Sequence, residues 1–218
     1  TEVSDAVNRP VITVTGVGKV ARGDLLSTGG MQPGDELVMT KWAGLEGSAI
    51  IAAEKRDVLE QTLPAHLIDT AESFLKHISV VPEAKIAMQH GVHAMHDVTE
   101  GGIFGALWEM GAASGVGIVA DLDKIPIRQE TIELCEVFDI NPYLLISSGC
   151  MLIGCENGNL LVERLQEAGI PAAVIGRATE GNDRVIRSGE ETRFLEPAGS
   201  DESVSYTHLR AHETLRHL

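Results

Sequence analysis

The segment His96–Gly102, which reads HDVTEGG, combines two acids, a hydroxyl and two adjacent glycines. Asp97 or Glu100 can accept a proton or hold a metal ion. Because Gly101 and Gly102 carry no Cβ, N–H groups at the start of a following helix would be open to phosphate oxygens. We predict that Asp97 is catalytic and that Thr99, Glu100, Gly101 and Gly102 contact the ligand. The alternative is that Thr99 only caps the helix and the glycines permit close packing.

A second loop, KWAGLEG at 41–47, also joins a predicted strand to a predicted helix. Lys41 would neutralise a phosphate group, and Gly44 and Gly47 would expose backbone N–H groups to it. Ser148 and Gly149 come just before the predicted strand 150–155, which begins the last strand–helix–strand unit. A small hydroxyl at this position either caps a turn or contacts a ligand. These residues complete the predicted binding site.

Other motifs give weaker indications of chemistry. Gly16-x-Gly18-Lys19 lacks the G-x-x-x-x-G-K-[ST] spacing of a phosphate-binding loop, so we reject that interpretation. Three histidines recur at every third position, and they are either a metal cluster or ordinary histidines that lie at the surface or are satisfied within the protein. These are His90, His93 and His96. The sequence shows no Ser/His/Asp or Cys/His order that would indicate a nucleophilic hydrolase.

The elements that must position these residues alternate between strands and helices, which favours an α/β sandwich with a mixed sheet. The predicted strands are 10–20, 36–40, 92–98, 118–122, 150–155 and 172–181. The predicted helices are 48–63, 64–77, 81–90, 100–114, 126–138 and 159–169. The last helix lies between two strands and forms a βαβ pattern.

Composition limits the classes of partner. The formal net charge of −15 would repel a nucleic-acid backbone, so we expect no nucleic-acid binding. No apolar run approaches the ~20 residues of a membrane span, so we expect no membrane partner and a cytoplasmic protein. Three cysteines without CxxC spacing indicate buried thiols in a reducing compartment: Cys135, Cys150 and Cys155.

Both ends of the chain look foreign to a natural domain. The chain begins at Thr1 without an initiator Met, and VSYTHLRAHET at 204–214 resembles a translated sequencing adapter. We therefore predict a piece of a longer protein, with residues 204–218 as a non-native tail and 23–203 as the domain. Residues 1–22 would be the end of a preceding domain.

Four segments together resemble the aminoimidazole-ribotide (AIR) synthetase superfamily over about residues 20–200. They are Pro33-Gly34-Asp35 before ELVMT, WAGLEG, HDVTEGGIFGAL and AAVIGRATEG. The superfamily includes thiamine-monophosphate kinase, selenophosphate synthetase and the hydrogenase-maturation carbamoyl dehydratase. HDVTEGG resembles the family's Asp-x-Thr-x-Gly-Gly block. The resemblance implies the carboxy-terminal α/β domain of that fold.

The same resemblance implies an ATP- and Mg²⁺-dependent enzyme that moves the γ-phosphate onto an acceptor oxygen. It implies that residues 1–22 end an ATP-binding domain through which the protein forms a homodimer, with Glu2 as a candidate metal ligand. We favour either the hydrogenase-maturation-like branch or an uncharacterised AIR-synthase-related branch. The Cys-bearing tail of the dehydratase is absent, and Ser148-Gly149 stands where that enzyme would have Glu-Gly. The chain alone would be inactive. The alternative is a non-catalytic accessory or dimerisation module.

Overall fold

The computed structural model describes residues 12–197. Seven strands lie in this part of the chain: β1 (Glu36–Thr40), β2 (Val92–Asp97), β3 (Gly117–Asp121), β4 (Met151–Cys155), β5 (Ala172–Thr179), β6 (Arg184–Ser188) and β7 (Glu191–Phe194). Its seven α-helices are α1 (Leu45–Glu54), α2 (Arg56–Leu59), α3 (Ala65–Glu72), α4 (Val81–Ala87), α5 (Gly102–Ser114), α6 (Gln129–Phe138) and α7 (Gly158–Glu167). Short 3-10 turns cover Arg22–Asp24, Ser73–His77 and Leu122–Lys124.

All seven strands form one mixed sheet in the order β2-β4-β1-β5-β3-β6-β7. β1 is antiparallel to both of its neighbours, β4 and β5, and β4 is also antiparallel to β2. β5 is antiparallel to β3, which runs parallel to β6. Strands β1, β2, β3 and β6 therefore point the same way, and their carboxyl ends meet at one edge of the sheet.

Helices cover the sheet on both faces, because successive strand residues point to opposite sides. On one face, Leu37 and Met39 of β1 pack in the core that also contains residues from α1, α3, α5 and α6. On the other face, Val38 packs with Leu161 and Leu165 of α7. The observed architecture confirms the predicted layered α/β sandwich with a mixed sheet.

The predicted βαβ pattern is present as β4-α7-β5. The two strands run parallel to each other, and β1 lies between them in the sheet. Helix α7 begins at an Asn cap, whose Asn157 Oδ1 accepts a hydrogen bond from the Leu160 N–H at 3.0 Å. A local sequence pattern could therefore indicate the β4-α7-β5 unit, but not that β1 lies between its two strands.

Some boundaries differ from the predictions. Residues 12–20 form no strand, and their side chains are exposed, so the predicted strand 10–20 is wrong over this range. The predicted helix 48–63 is two helices, because Lys55 leaves the helical region at φ −122°. The hairpin of β6 and β7 has no counterpart among the predicted strands.

The division into residues 1–22, 23–203 and 204–218 stays a prediction. Glu2 and the adapter-like segment lie outside the described residues. None of the helices between residues 12 and 197 has the length and apolar character that crossing a membrane requires.

Candidate functional site

Asp97 lies at the carboxyl end of β2, at the sheet edge where ligands commonly bind in α/β folds. Its side chain is exposed, and Met151 of β4 is its register partner. The next residue, Val98, donates its N–H to the Cys150 carbonyl at 3.1 Å. The structure therefore places Asp97 next to the segment that contains Ser148.

The loop after Asp97 exposes its acid but not its glycines. Glu100 is exposed and Thr99 is half-buried, whereas Gly101 and Gly102 are buried. Gly102 adopts φ +59°, and a Cβ there would lie 2.5 Å from the carbonyl oxygen of Tyr143. Its N–H donates to the Thr99 carbonyl at 3.1 Å. The geometry of Gly102 favours the close-packing interpretation over an open phosphate cradle.

The segment 141–149 also covers the start of α1. The N–H of Gly44 donates to Ser147 Oγ at 2.6 Å, and the N–H of Gly47 donates to the Ile146 carbonyl at 3.0 Å. Both glycines are buried. Their donors are thus occupied within the protein, contrary to the expectation that they face a phosphate. The two glycines instead let the helix approach this segment closely.

Ser148 and Gly149 form a turn just before β4. Ser148 is half-buried, and it lies at the same sheet edge as Asp97 because β4 runs antiparallel to β2. Gly149 is buried with φ +102°, and its carbonyl accepts a hydrogen bond from Lys41 Nζ at 2.9 Å. Ser148 therefore remains a candidate for ligand contact. Gly149 instead holds Lys41 in place through its carbonyl.

Lys41 is buried, and its ammonium group has protein partners for every hydrogen. Nζ donates to the carbonyls of His77, Ser79 and Gly149 at 2.6, 2.7 and 2.9 Å. Glu83 Oε1 lies 2.6 Å from Nζ and balances its charge. An ammonium group has three N–H donors, so none remains for a phosphate. This geometry favours a structural role for Lys41 rather than the predicted catalytic one.

Glu83 was not singled out in the sequence, because an acid in the first turn of a short helix normally faces water. Glu83 acquires a role only through its contact with Lys41, which lies 42 residues away in the sequence.

The histidines of the sequence motif also contact residues that are distant in the sequence. His93 Nδ1 lies 2.9 Å from Asp35 Oδ2, while His96 contacts Thr28 Oγ1 at 3.0 Å and Glu109 Oε2 at 2.9 Å.

The thiol nearest the site is not a nucleophile. Burial raises the pKa of Cys150 to about 12, although the charge of Lys41 acts in the opposite direction. Cys150 Sγ donates to the Trp42 carbonyl at 2.6 Å, which also keeps the thiol protonated. A neutral buried thiol is chemically inert at ordinary pH.

The exposed acids do not form a metal centre with the rest of the described chain. Among residues 12–197, no group of three or more His, Cys, Asp or Glu side chains is placed to hold a metal ion. Asp97 and Glu100 therefore do not fit a resident Mg²⁺ site without further ligands. Glu2, the predicted metal ligand, lies outside the described residues.

Comparison with known proteins adds to this geometry. A hydrogenase expression/formation protein of Methanocaldococcus jannaschii is 30% identical over 190 residues, covering 85% of this chain and 54% of the relative. Carbamoyl dehydratase HypE of Rhodobacter capsulatus is 27% identical over 180 residues, covering 81% of this chain and 51% of that protein. The chain thus spans about half the length of these relatives.

A solved structure shares the fold at low sequence identity. The hydrogenase maturation protein HypE in complex with ATP aligns with a TM-score of 0.63 and 16% identity, covering 84% of this chain and 56% of that one. The profile of the family described as AIR synthase related protein, C-terminal domain, matches residues 32–188. The chain therefore belongs to the AIR synthase related family, of which it carries the carboxy-terminal domain.

Proposed function

We propose that this chain is the carboxy-terminal α/β half of an ATP-dependent enzyme that transfers the γ-phosphate of ATP to an acceptor, or activates the acceptor with it. Family membership over residues 32–188 is the observation that carries this proposal. The names of the relatives support a place in hydrogenase maturation, with carbamoyl dehydratase as the related activity. A relative solved with ATP supports the nucleotide as substrate.

Within this proposal, the exposed carboxylate of Asp97 accepts a proton from the acceptor or orients it. Ser148 donates its hydroxyl hydrogen to a substrate oxygen, because it lies on the segment adjoining the end of β2. Glu100 adds a second exposed negative charge at the same edge. Two carboxylates repel a polyphosphate, so the amino-terminal half of the relatives must supply most of the phosphate contacts.

The predicted Mg²⁺ dependence and the homodimer both belong to this proposal. The described acids do not make a complete metal site, so the remaining ligands would come from outside residues 12–197. The dimer would form through the amino-terminal half. Catalysis would then need both halves.

The rival proposal is a non-catalytic accessory or dimerisation module. The buried glycines at the start of α1 and α5 favour it, since the N–H groups of Gly44, Gly47 and Gly102 already have partners. The two proposals differ in whether the complete protein turns over ATP.

Calorimetric titration with ATP tests the composite site. We expect the 218-residue chain alone to show no saturable heat, and the same chain joined to the amino-terminal half of its relatives to bind ATP. Tight binding by the chain alone would refute the composite site. Failure of the joined protein to bind or hydrolyse ATP would favour the accessory module.

A further inference from the structure

A cavity of about 540 Å³ lies beside α7, on the face of the sheet against which that helix packs. The apolar core on this face contains residues of β1, β2, β4 and β5, but none of β3 or β6 within the described chain. The sheet itself therefore forms the floor of the cavity, where Val119 of β3 and Val174 of β5 are half-buried. The volume is in the range of small-molecule sites. Asp97, Glu100 and Ser148 do not line this cavity, which is therefore separate from the proposed ATP site.

Two exposed arginines line this cavity on opposite sides of β3. Arg177 of β5 is the register partner of Val119, and Arg187 of β6 is the register partner of Asp121. Register partners point to the same face of a sheet, and so do residues two positions apart on one strand. Both arginines therefore stand on the same face as Val119, one on each side of it.

The three acids that line the cavity have other partners. Asp121 Oδ2 accepts a hydrogen bond from Lys124 Nζ at 2.7 Å. Glu36 Oε2 accepts one from the N–H at the start of α7, also at 2.7 Å. Glu156 is 79% exposed and lies 3.9 Å from His93 Nε2. None of these carboxylates forms an ion pair with an arginine of the cavity.

The guanidinium groups of Arg177 and Arg187 are consequently free to bind an anion. Within residues 12–197, neither group makes an ion pair or a hydrogen bond. A guanidinium group can hold a carboxylate through two parallel N–H···O bonds, which a lysine cannot do. The cavity thus offers two such positions, with the apolar side chain of Val119 between them.

The spacing of the two arginines selects the length of the anion. They are two strands and two residues apart, so strands about 4.8 Å apart and a rise of about 3.3 Å per residue place their Cα atoms about 12 Å apart. A carboxyl carbon held in bidentate fashion lies about 4 Å from the guanidinium carbon, so two carboxylates bound between parallel side chains would be about 4 Å apart. We propose that this cavity binds a short linear dicarboxylate, with one carboxylate on Arg177, the other on Arg187, and its hydrocarbon chain over Val119.

Two acids of equal chain length test this proposal. Succinate has a carboxylate at each end, whereas butyrate has only one. The ¹⁵N-labelled 218-residue chain is titrated with each acid at neutral pH, where both carboxyl groups of succinate are ionised, and at constant ionic strength. The backbone amide resonance of Val119 reports on the cavity. The amide resonance of Ile103, which is buried in the core on the other face of the sheet, is the internal control.

We expect succinate to shift the Val119 resonance saturably, with a Kd in roughly the millimolar range for a ligand of so few atoms. Butyrate and inorganic phosphate should bind at least roughly tenfold more weakly, because neither can engage both arginines. Arg177→Gln and Arg187→Gln should each weaken succinate binding roughly tenfold, since each removes a charge-assisted bidentate contact. Arg193→Gln removes the same charge from β7, where Arg193 is 78% exposed and pairs with Glu191, and should leave the Kd unchanged.

Four results would overturn the proposal. They are no saturable shift of the Val119 resonance, an equal shift of the Ile103 resonance, equal Kd values for succinate and either butyrate or phosphate, and equal effects of the three arginine substitutions. The comparison of succinate with butyrate uses the unmodified chain, so it remains decisive whatever the substitutions do to folding.

Discussion

At the residue scale, Lys41 is the clearest case of a side chain whose role depends on distant partners. It adopts φ +55°, which is strained for a residue with a Cβ, and its charge is held by Glu83 and three carbonyls. Lys41→Met would leave the buried Glu83 uncompensated. We expect the free energy of unfolding to fall by about 3–5 kcal/mol, measured by urea denaturation.

Lys124→Met is the matched control for that measurement. Lys124 pairs with Asp121 at 2.7 Å, but its side chain is 60% exposed. Exposed ion pairs contribute less than about 1 kcal/mol, so Lys124→Met should leave the free energy of unfolding almost unchanged. Equal losses of unfolding free energy in Lys41→Met and Lys124→Met would show that Lys41 has no special structural role.

The buried thiols give a prediction about pH. Burial raises the pKa of Cys150 and of Cys155 to about 12, from an ordinary value of 9.0. As pH rises through this window, the unfolded chain releases the two protons while the folded chain retains them. The free energy of unfolding should therefore fall, and this loss is absent below the ordinary pKa.

Urea denaturation at about pH 8 and about pH 10.5 measures the effect. Because other groups also titrate, the useful quantity is the change between these two pH values in the natural chain minus that in Cys150→Ala. We expect the variant to lose less stability with rising pH. An identical pH dependence in both proteins would contradict the assigned burial effect.

Sequence patterns could identify the residues of the candidate site but not their partners. The segment HDVTEGG correctly indicated a junction between a strand and a helix, and Asp97 lies exposed at that junction. The buried state of Gly102 depends on Tyr143, and the anchoring of Lys41 depends on Gly149. Contacts between residues so distant in sequence have no local signal. The same limitation concealed Glu83.

At the element scale, the two ends of α5 allow close packing and backbone strain to be separated. Gly102 and Gly115 have positive φ angles of 59° and 68°. A Cβ on Gly102 would collide with the backbone near Tyr143, whereas a Cβ on Gly115 would meet open space. Gly115→Ala should cost about 1 kcal/mol, and Gly102→Ala roughly 2 kcal/mol more, by thermal or urea unfolding.

Similar losses for the two alanine variants would mean that segment 143–145 can move away from α5. In that case the start of α5 could open to an anion, which would revive the phosphate-cradle interpretation. The comparison therefore bears on function as well as on stability.

Element types were more predictable than element ends. β1 and β4 were recognisable from short runs of apolar and β-branched residues that become buried, whereas β2, at the edge of the sheet, is only partly buried. Residues 12–20 have the same composition, yet they form no strand, because strand composition needs a partner strand to become a sheet. β6 and β7 were missed because their exposed, charged residues hide the alternation.

At the scale of the whole molecule, alternating strands and helices predicted a layered α/β sandwich, and the structure has this architecture. The order β2-β4-β1-β5-β3-β6-β7 could not be predicted in this way, since pairing between distant strands is set by packing of the two cores. The carboxyl ends of β1, β2 and β3 lie at one edge of the sheet because these strands run in the same direction, with β4 and β5 between them. The position of Asp97 at this edge is the link between fold and proposed function.

The most direct test of the account is ADP release by this chain joined to the amino-terminal half of its relatives, compared between Asp97→Asn and Asp183→Asn. Both carboxylates are exposed, but Asp183 lies beside the start of β6, at the opposite edge of the sheet. We predict that Asp97→Asn lowers the rate by roughly 10²-fold or more, while Asp183→Asn retains it. ADP release that survives Asp97→Asn would contradict the assigned role.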